Sequence, residues 1–190
     1  MVVRLVLATR NPHKLREFSR LLPAVALAPL PEEADLPPET GDSYAENALA
    51  KARAAAVATG QAAIADDSGI ESAALGGRPG VLSARFAGPR ASDVENLALL
   101  RAQAPPGSGL RYVCALAHAT AGGESRAFEG RCEGTMAAEA RGCRGFGYDP
   151  VFLPRDDTSG RTMAELSDDE KDAISHRGAA ARALQAWLAS

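Results

Sequence analysis

The chain predicts an α/β fold: a mixed β-sheet flanked by helices. Three observations carry this. Short apolar runs alternate with segments whose apolar residues recur at helical spacing. The helical segments open on capping signals. Turns rich in Gly and Pro separate the two kinds of segment.

The elements follow in order. Val2 to Ala8 is an apolar run broken only by Arg4, as in a buried strand. Asn11 can N-cap a helix with Pro12 in its first position, and Leu15, Phe18, Leu21 and Leu22 then recur at helical spacing. Residues 23–41 hold five prolines and read as loop, with a short strand near Val25–Ala28. An Ala-rich helix covers about Asp42 to Ala58, and Gly60 ends it. Ala62 to Ala65 is a short strand that gives way to Asp66-Asp67-Ser68-Gly69. Residues 75–89 are too rich in Gly and Pro for regular structure. Ser92 to Glu95 is a capping box that starts a helix over 93–103. Leu110 to Thr120, a turn at Gly122-Gly123 and a return strand over 124–136 form a hairpin. A Gly-rich loop spans 142–150. Ser167 to Glu170 is a second capping box, and a last helix runs from Arg177 to Leu188.

Composition narrows the function. The chain has 190 residues, enough for one domain or one two-lobed domain with a sizeable core. The net charge of −3 offers no basic field for a DNA or RNA polymer, although a single nucleotide needs only a local cluster of cations. No stretch has the apolar length of a membrane helix, and the N-terminus reads as a strand rather than a signal peptide. Three cysteines without metal-binding spacing fit reduced thiols in the cytoplasm. Against 18 Arg there are only three Lys: Lys14, Lys51 and Lys171. A compact ammonium suits a phosphate oxygen where space is tight; the plain alternative is three surface lysines.

Five segments carry chemistry, each with a plainer reading beside it. Thr9-Arg10-Asn11-Pro12-His13-Lys14 joins a strand to a helix N-terminus, where backbone N–H groups favour an anion; a merely capped helix start looks the same. Asn47 and Lys51 share a helix face beside Glu46, with Glu39 just upstream; this is also how a solvated face reads. Asp66 and Asp67 repel one another unless something neutralises them, and oxygen ligands alone favour magnesium or manganese over zinc; a turn opened by Asp is the alternative. Gly145 to Pro150 places Phe146 and Tyr148 where they can stack on a base and Asp149 where it can hydrogen-bond one, unless the aromatics simply pack the turn. Lys171, His176 and Arg177 gather near the start of the last helix, where cations oppose the helix dipole and call for an electron-rich partner.

Taken together and in this order, these segments resemble the inosine triphosphate pyrophosphatase family, the Ham-type house-cleaning enzymes. The matching text is VLATRNPHKLREF, ETGDSYAENALAKA, ADDSGIESAALGGRPGVLSARFAG, GFGYDPVF and AELSDDEKDAISHRGAA. The resemblance implies a single two-lobed domain over 1–190, an active site in the cleft, and a homodimer. It implies that Thr9, Arg10, Asn11, Pro12, His13 and Lys14 bind triphosphate, with Ser68 and Lys51 as further phosphate contacts. Glu39 and Asp67 look like the ligands of Mg2+ (or Mn2+), and Asp67 also looks like the general base. Phe146, Gly147, Tyr148, Asp149, Lys171, His176 and Arg177 look like the base pocket. All three lysines fall on these positions. Arg10 stands where a small residue is frequent, Ala73 where an acid is, and Asp172 where Asn is usual.

The expected reaction is attack of water on a phosphorus of the α–β anhydride of ITP, dITP or XTP, releasing the monophosphate and pyrophosphate. Asp67 deprotonates the water, and Lys14 and Lys51 stabilise charge on the leaving group. Donors from His176 and Arg177 pair with the purine six-oxygen, where adenine would present an amino group instead. A Maf-type pyrophosphatase and a non-catalytic nucleotide-binding module are the alternatives. The Ser-His-Arg segment argues against the first and the clustered acids against the second.

Overall fold

The structure is a computed structural model that describes residues 3–190. Val2, placed in the first strand by the sequence, lies outside the described residues. The elements in chain order are β1 (Val3–Leu7), α1 (Pro12–Leu21), β2 (Val25–Pro29), α2 (Tyr44–Thr59), β3 (Ala63–Ser72), α3 (Asp93–Gln103), β4 (Gly109–Ala119), β5 (Ser125–Met136), β6 (Phe152–Pro154), α4 (Asp168–Ile174) and α5 (His176–Leu188). The strands form one six-stranded sheet in the order β2-β1-β3-β4-β5-β6, with flanking helices. It is a mixed sheet: β1 pairs in parallel with β2 and β3, and β5 pairs antiparallel with β6.

The local chemistry explains the boundaries. Asn11 caps α1 and Pro12 occupies its first turn, where a missing N–H costs nothing. α2, α3 and α4 each open on a reciprocal capping box, Ser43/Glu46, Ser92/Glu95 and Ser167/Glu170. Each Ser cap contributes about 1 kcal/mol. Gly60 ends α2 in the left-handed conformation, φ 65°, which a side chain would strain. Ala48, Ala52, Ala55 and Ala56 line the inner face of α2 and are fully buried.

Two expectations need correction, and one element is new. β3 does not stop before the acid pair but continues to Ser72, so Asp66 and Asp67 lie inside a strand rather than in a loop. The backbone can stay in the sheet because cations neutralise Asp66 and an amide binds Asp67, as described below. Residues 80–85 form a 3-10 turn where no regular structure was expected. Ser83 holds it: its hydroxyl accepts from the Ile70 N–H at 2.9 Å and donates to the Gly80 carbonyl at 2.6 Å. The segment after Asp149 also adds β6, pairing Phe152 with Met136.

The chain divides into two compact units. The first comprises the chain up to Asp67, Cys114–Gly130 and Arg177–Ser190. Its core gathers Leu5, Leu7, Phe18, Ile64, Leu116 and Leu184. The second comprises Ser68–Val113 and Arg131–His176. Its core gathers Ile70, Leu100, Tyr112, Phe152, Met163 and Leu166. No helix among the described residues is long and apolar enough to cross a membrane.

Candidate active site

In the first unit, β1 delivers the chain to Thr9 and α1 carries it away from Asn11. The side chain of Asn11 accepts from the backbone N–H of His13 (2.9 Å) and of Lys14 (3.4 Å), and Thr9 Oγ accepts from the Asn11 N–H at 3.1 Å. Two of the amides expected to face an anion are thus spent on the cap. The cation that this turn supplies is Lys14, whose Nζ lies 3.0 Å from Asp66 Oδ2. His13 is exposed, and its Nδ1 stands 3.0 Å from an Arg16 nitrogen.

Arg10 departs from its expected role as a triphosphate contact. Its guanidinium donates to the carbonyls of Leu30 (3.1 Å), Pro31 (2.7 Å), Glu32 (3.1 Å) and Ala34 (2.8 Å). The Pro-rich segment has few backbone donors for those carbonyls, since Pro has no N–H. Arg10 supplies them from outside.

Side chains alternate along a strand, so Asp66 and Asp67 serve different partners. Asp66 is 1% exposed; it faces Lys14 at 3.0 Å and Arg177 at 3.6 Å. Burial pushes its carboxyl upward, but the charges of Lys14, Arg177 and Lys51 overcome this and hold it well below the usual carboxylate range. Asp67 is 5% exposed and accepts from Asn47 Nδ2 at 2.9 Å. Burial raises its carboxyl above the usual value; the Asn47 hydrogen bond opposes this and the Glu39 charge adds to it.

Lys51, from α2, forms an ion pair with Glu39 and donates to the Asp66 carbonyl at 2.7 Å. Burial alone would lower its ammonium, but Asp66, Glu39 and Asp67 more than offset that, so it is raised. Arg177, at the start of α5, binds Glu17 Oε2 at 3.0 Å. Glu46, which the sequence placed beside this face, instead accepts from the N–H groups of Asp42 and Ser43 and completes the helix cap.

Four acids (Glu17, Glu39, Asp66, Asp67) therefore meet three cations (Lys14, Lys51, Arg177), leaving one negative charge over. Among the described residues no group of three or more His, Cys, Asp and Glu gathers as a closed metal site would. Two carboxylates, Glu39 and Asp67, suit Mg2+ or Mn2+, which bind one or two carboxylates and complete their shell with water and substrate phosphate. The donor set fits such an ion and does not suit zinc.

The second unit holds another cluster. Asp149, 3% exposed, accepts from the Phe146 N–H (3.0 Å), the Tyr112 hydroxyl (3.1 Å) and Lys171 Nζ (2.8 Å). A side chain at Gly145 would collide with the Asp149 carboxylate, and φ of 71° there also demands Gly. Lys171 Nζ stands 5.4 Å from the centre of the Phe146 ring, a cation–π distance. His176 stacks on Tyr112 with ring centres 4.5 Å apart and planes 7° from parallel. Gly147 N–H reaches Asp93 at 3.0 Å. Tyr148 belongs to the core and not to a stacking platform: it is buried, and its hydroxyl donates to the Ser83 carbonyl at 2.8 Å. Ser68, the first residue of this unit, is half-buried in β3.

A family model described as "Ham1 family" matches residues 5–187. The chain belongs to the Ham1 family. It is 47% identical over 205 residues to the dITP/XTP pyrophosphatase of Mycobacterium tuberculosis, covering 100% of this chain and 97% of that protein. The solved structure of a HAM1 protein from Coxiella burnetii superposes with a TM-score of 0.86 at 40% identity, covering 98% of both chains. The nucleoside-triphosphatase / dITP/XTP pyrophosphatase of Mycobacterium abscessus does so with a TM-score of 0.74 at 47% identity, covering 98% of this chain and 99% of that one.

Within this Ham1 chain the structure groups the expected residues in two sets. Lys14, Glu39, Lys51, Asp67 and Arg177 gather in the first unit, and Phe146, Asp149, Lys171 and His176 in the second. Arg177 was expected to read the base, yet its guanidinium is turned to Glu17 and Asp66. Sequence reasoning missed Glu17 and Tyr112. Glu17 had a signal, standing one helical turn after Lys14 on the same face. Tyr112 had none, because a lone Tyr in a buried strand reads as core.

Proposed function

We propose that this Ham1-family chain is a nucleoside-triphosphate pyrophosphatase that converts dITP, ITP and XTP to the monophosphate and pyrophosphate. The observation that carries the reading is the buried cluster of the first unit. It holds one carboxylate raised toward basicity, Asp67, among two lysines suited to a polyphosphate. Asp67 orients and deprotonates the attacking water. Lys14 and Lys51 offset charge that develops on the leaving pyrophosphate. Mg2+, held by Glu39 and Asp67 when bound, would neutralise phosphate oxygens.

The base falls to the cluster of the second unit. Asp149 fixes the Lys171 ammonium through one of its three donors and the Phe146 backbone through another bond. Tyr112 fixes the plane of the His176 ring. Donors held this way donate to a purine six-oxygen and meet adenine's amino group donor against donor. A site that leaves its buried polar groups unpaired with the wrong ligand discriminates by roughly 10⁴. The three free thiols agree with a cytoplasmic setting. A homodimer is the assembly that the resemblance implies, and light scattering tests it directly.

The decisive experiment incubates the protein with ITP, dITP, XTP, GTP, ATP and UTP and measures pyrophosphate, with magnesium present, chelated, and restored. Preferential release from the first three, lost on chelation and regained with magnesium or manganese, is the expected result. Equal turnover of ATP, or release of orthophosphate in place of pyrophosphate, would overturn it.

A further inference from the structure

Asn47 links Asp67, the carboxylate that the proposed reaction assigns as base, to the turn that follows Glu39. Its side chain is buried, 3% exposed, on the first turns of α2. Asn47 Oδ1 accepts from the Gly41 N–H at 2.8 Å, and Nδ2 donates to Asp67 Oδ2 at 2.9 Å. The amide cannot be reversed. Turned over, it would set its NH2 group against the Gly41 N–H and its carbonyl against a carboxylate. One end therefore holds the turn that follows Glu39, and the other holds Asp67.

The fit leaves no slack on the loop side. A Cβ at Gly41 would lie 2.8 Å from Asn47 Oδ1 and 2.9 Å from the Glu46 Cβ. Gly41 is therefore required by close approach to the bridge. α2 itself is fixed at that end by the Ser43/Glu46 capping box, so the amide projects from a rigid turn.

We infer that Asn47 is a positioning residue, whose amide sets the rotamer of Asp67 and ties it to the Glu39–Gly41 turn. This rests on the assignment of Asp67 as base. No other side chain of similar size has the needed pair of a donor and an acceptor at fixed separation. Asp in its place keeps the acceptor for Gly41 but turns a carboxylate on Asp67.

The test uses Asn47→Asp, Asn47→Ala and Asp67→Asn in the full-length protein, with dITP and magnesium. Three readouts are taken: steady-state kinetics, thermal unfolding, and hydrogen exchange of the Gly41 amide. Asn47→Asp should lower kcat about tenfold or more, with KM changed less than about threefold and Gly41 protection retained. Asn47→Ala should lower kcat by a similar factor and also lose the Gly41 protection. If Asn47→Asp and Asn47→Ala both turn over within about twofold of wild type while Asp67→Asn is inactive, Asn47 does not position the base and the inference falls. A fall in kcat matched by a loss of folded protein in both Asn47 variants would make it a structural residue and would equally overturn it. An active Asp67→Asn would instead remove the assignment of the base, whatever the Asn47 variants do.

Discussion

Replacing Asp66 by Asn tests whether the first cluster is held together electrostatically. The carboxylate is 1% exposed and serves Lys14 at 3.0 Å and Arg177 at 3.6 Å. Removing one member of a buried pair costs about 3–5 kcal/mol, because the partners keep their desolvation without their counter-charge. The lower end applies here. Arg177 keeps Glu17 at 3.0 Å, and the Lys14 side chain is 15% exposed and can turn to water. A loss of about 3 kcal/mol lowers the melting midpoint of a chain of this length by roughly 6–12 °C. The effect also has a pH signature. The folded-state value of Asp66 lies below that of an unfolded Asp, so its stabilisation is complete above the unfolded value, about 4. It is lost as pH falls below that, because the unfolded chain takes up the proton first. Urea titrations of wild type and Asp66→Asn at pH 7 and pH 3 measure both. The gap between the two proteins should narrow at pH 3. A variant within about 1 kcal/mol of wild type at pH 7, or a gap that widens in acid, would refute the reasoning.

Further outcomes follow from the same geometry. Asp67→Asn should lower kcat by about 10²–10⁴, and in the metal-free protein the Asp67 carboxyl should titrate above the usual Asp value, since burial raises it. A variant that keeps kcat within about fivefold of wild type would contradict the role, and a metal-free Asp67 carboxyl that titrates by NMR at or below about 4 would contradict the effect of burial. Arg177→Ala should depress ITP and ATP hydrolysis alike, because its partners are Glu17 and Asp66, whereas Lys171→Ala should reduce ITP and XTP turnover by roughly 10-fold or more and spare ATP. Comparing kcat/KM for these nucleotides decides between the two; selective loss in Arg177→Ala would restore it as a base reader. Arg10→Ala should cost about 1–2 kcal/mol in urea unfolding with KM for dITP unchanged, and a raised KM would return Arg10 to the phosphate site.

What was legible in the sequence was local. Asn11-Pro12, the Ser92 and Ser167 capping boxes and Gly60 mark helix ends through contacts within a few residues, and each stands where expected. The hairpin around Gly122-Gly123 is equally local. The acid pair was misplaced because an Asp-Asp step favours a loop unless distant cations neutralise it. Lys14 lies 52 residues before Asp66 and Arg177 lies 111 after it, which no local pattern reveals. Arg10 was misassigned for a related reason: a cation in a phosphate-like turn can be claimed by backbone carbonyls 20 to 24 residues away. Tyr148 and Phe146 share a loop, yet only burial separates a core ring from one beside the Lys171 ammonium.

The alanines on the inner face of α2 have a consequence for how far the protein tolerates change. Ala48, Ala52, Ala55 and Ala56 are fully buried, and their side chains have no rotamers to adjust. A core of larger residues absorbs an added methyl group by reorienting neighbours; here the helix itself has to move. Asn47 and Lys51 ride on that helix, so a shift of a fraction of an ångström passes undamped to the Asp67 hydrogen bond and the Glu39 ion pair. Substitutions such as Ala48→Val or Ala55→Val should therefore reduce turnover out of proportion to the 1–3 kcal/mol that overpacking costs. Drift at these positions would be constrained by catalytic alignment even though none of them meets the substrate.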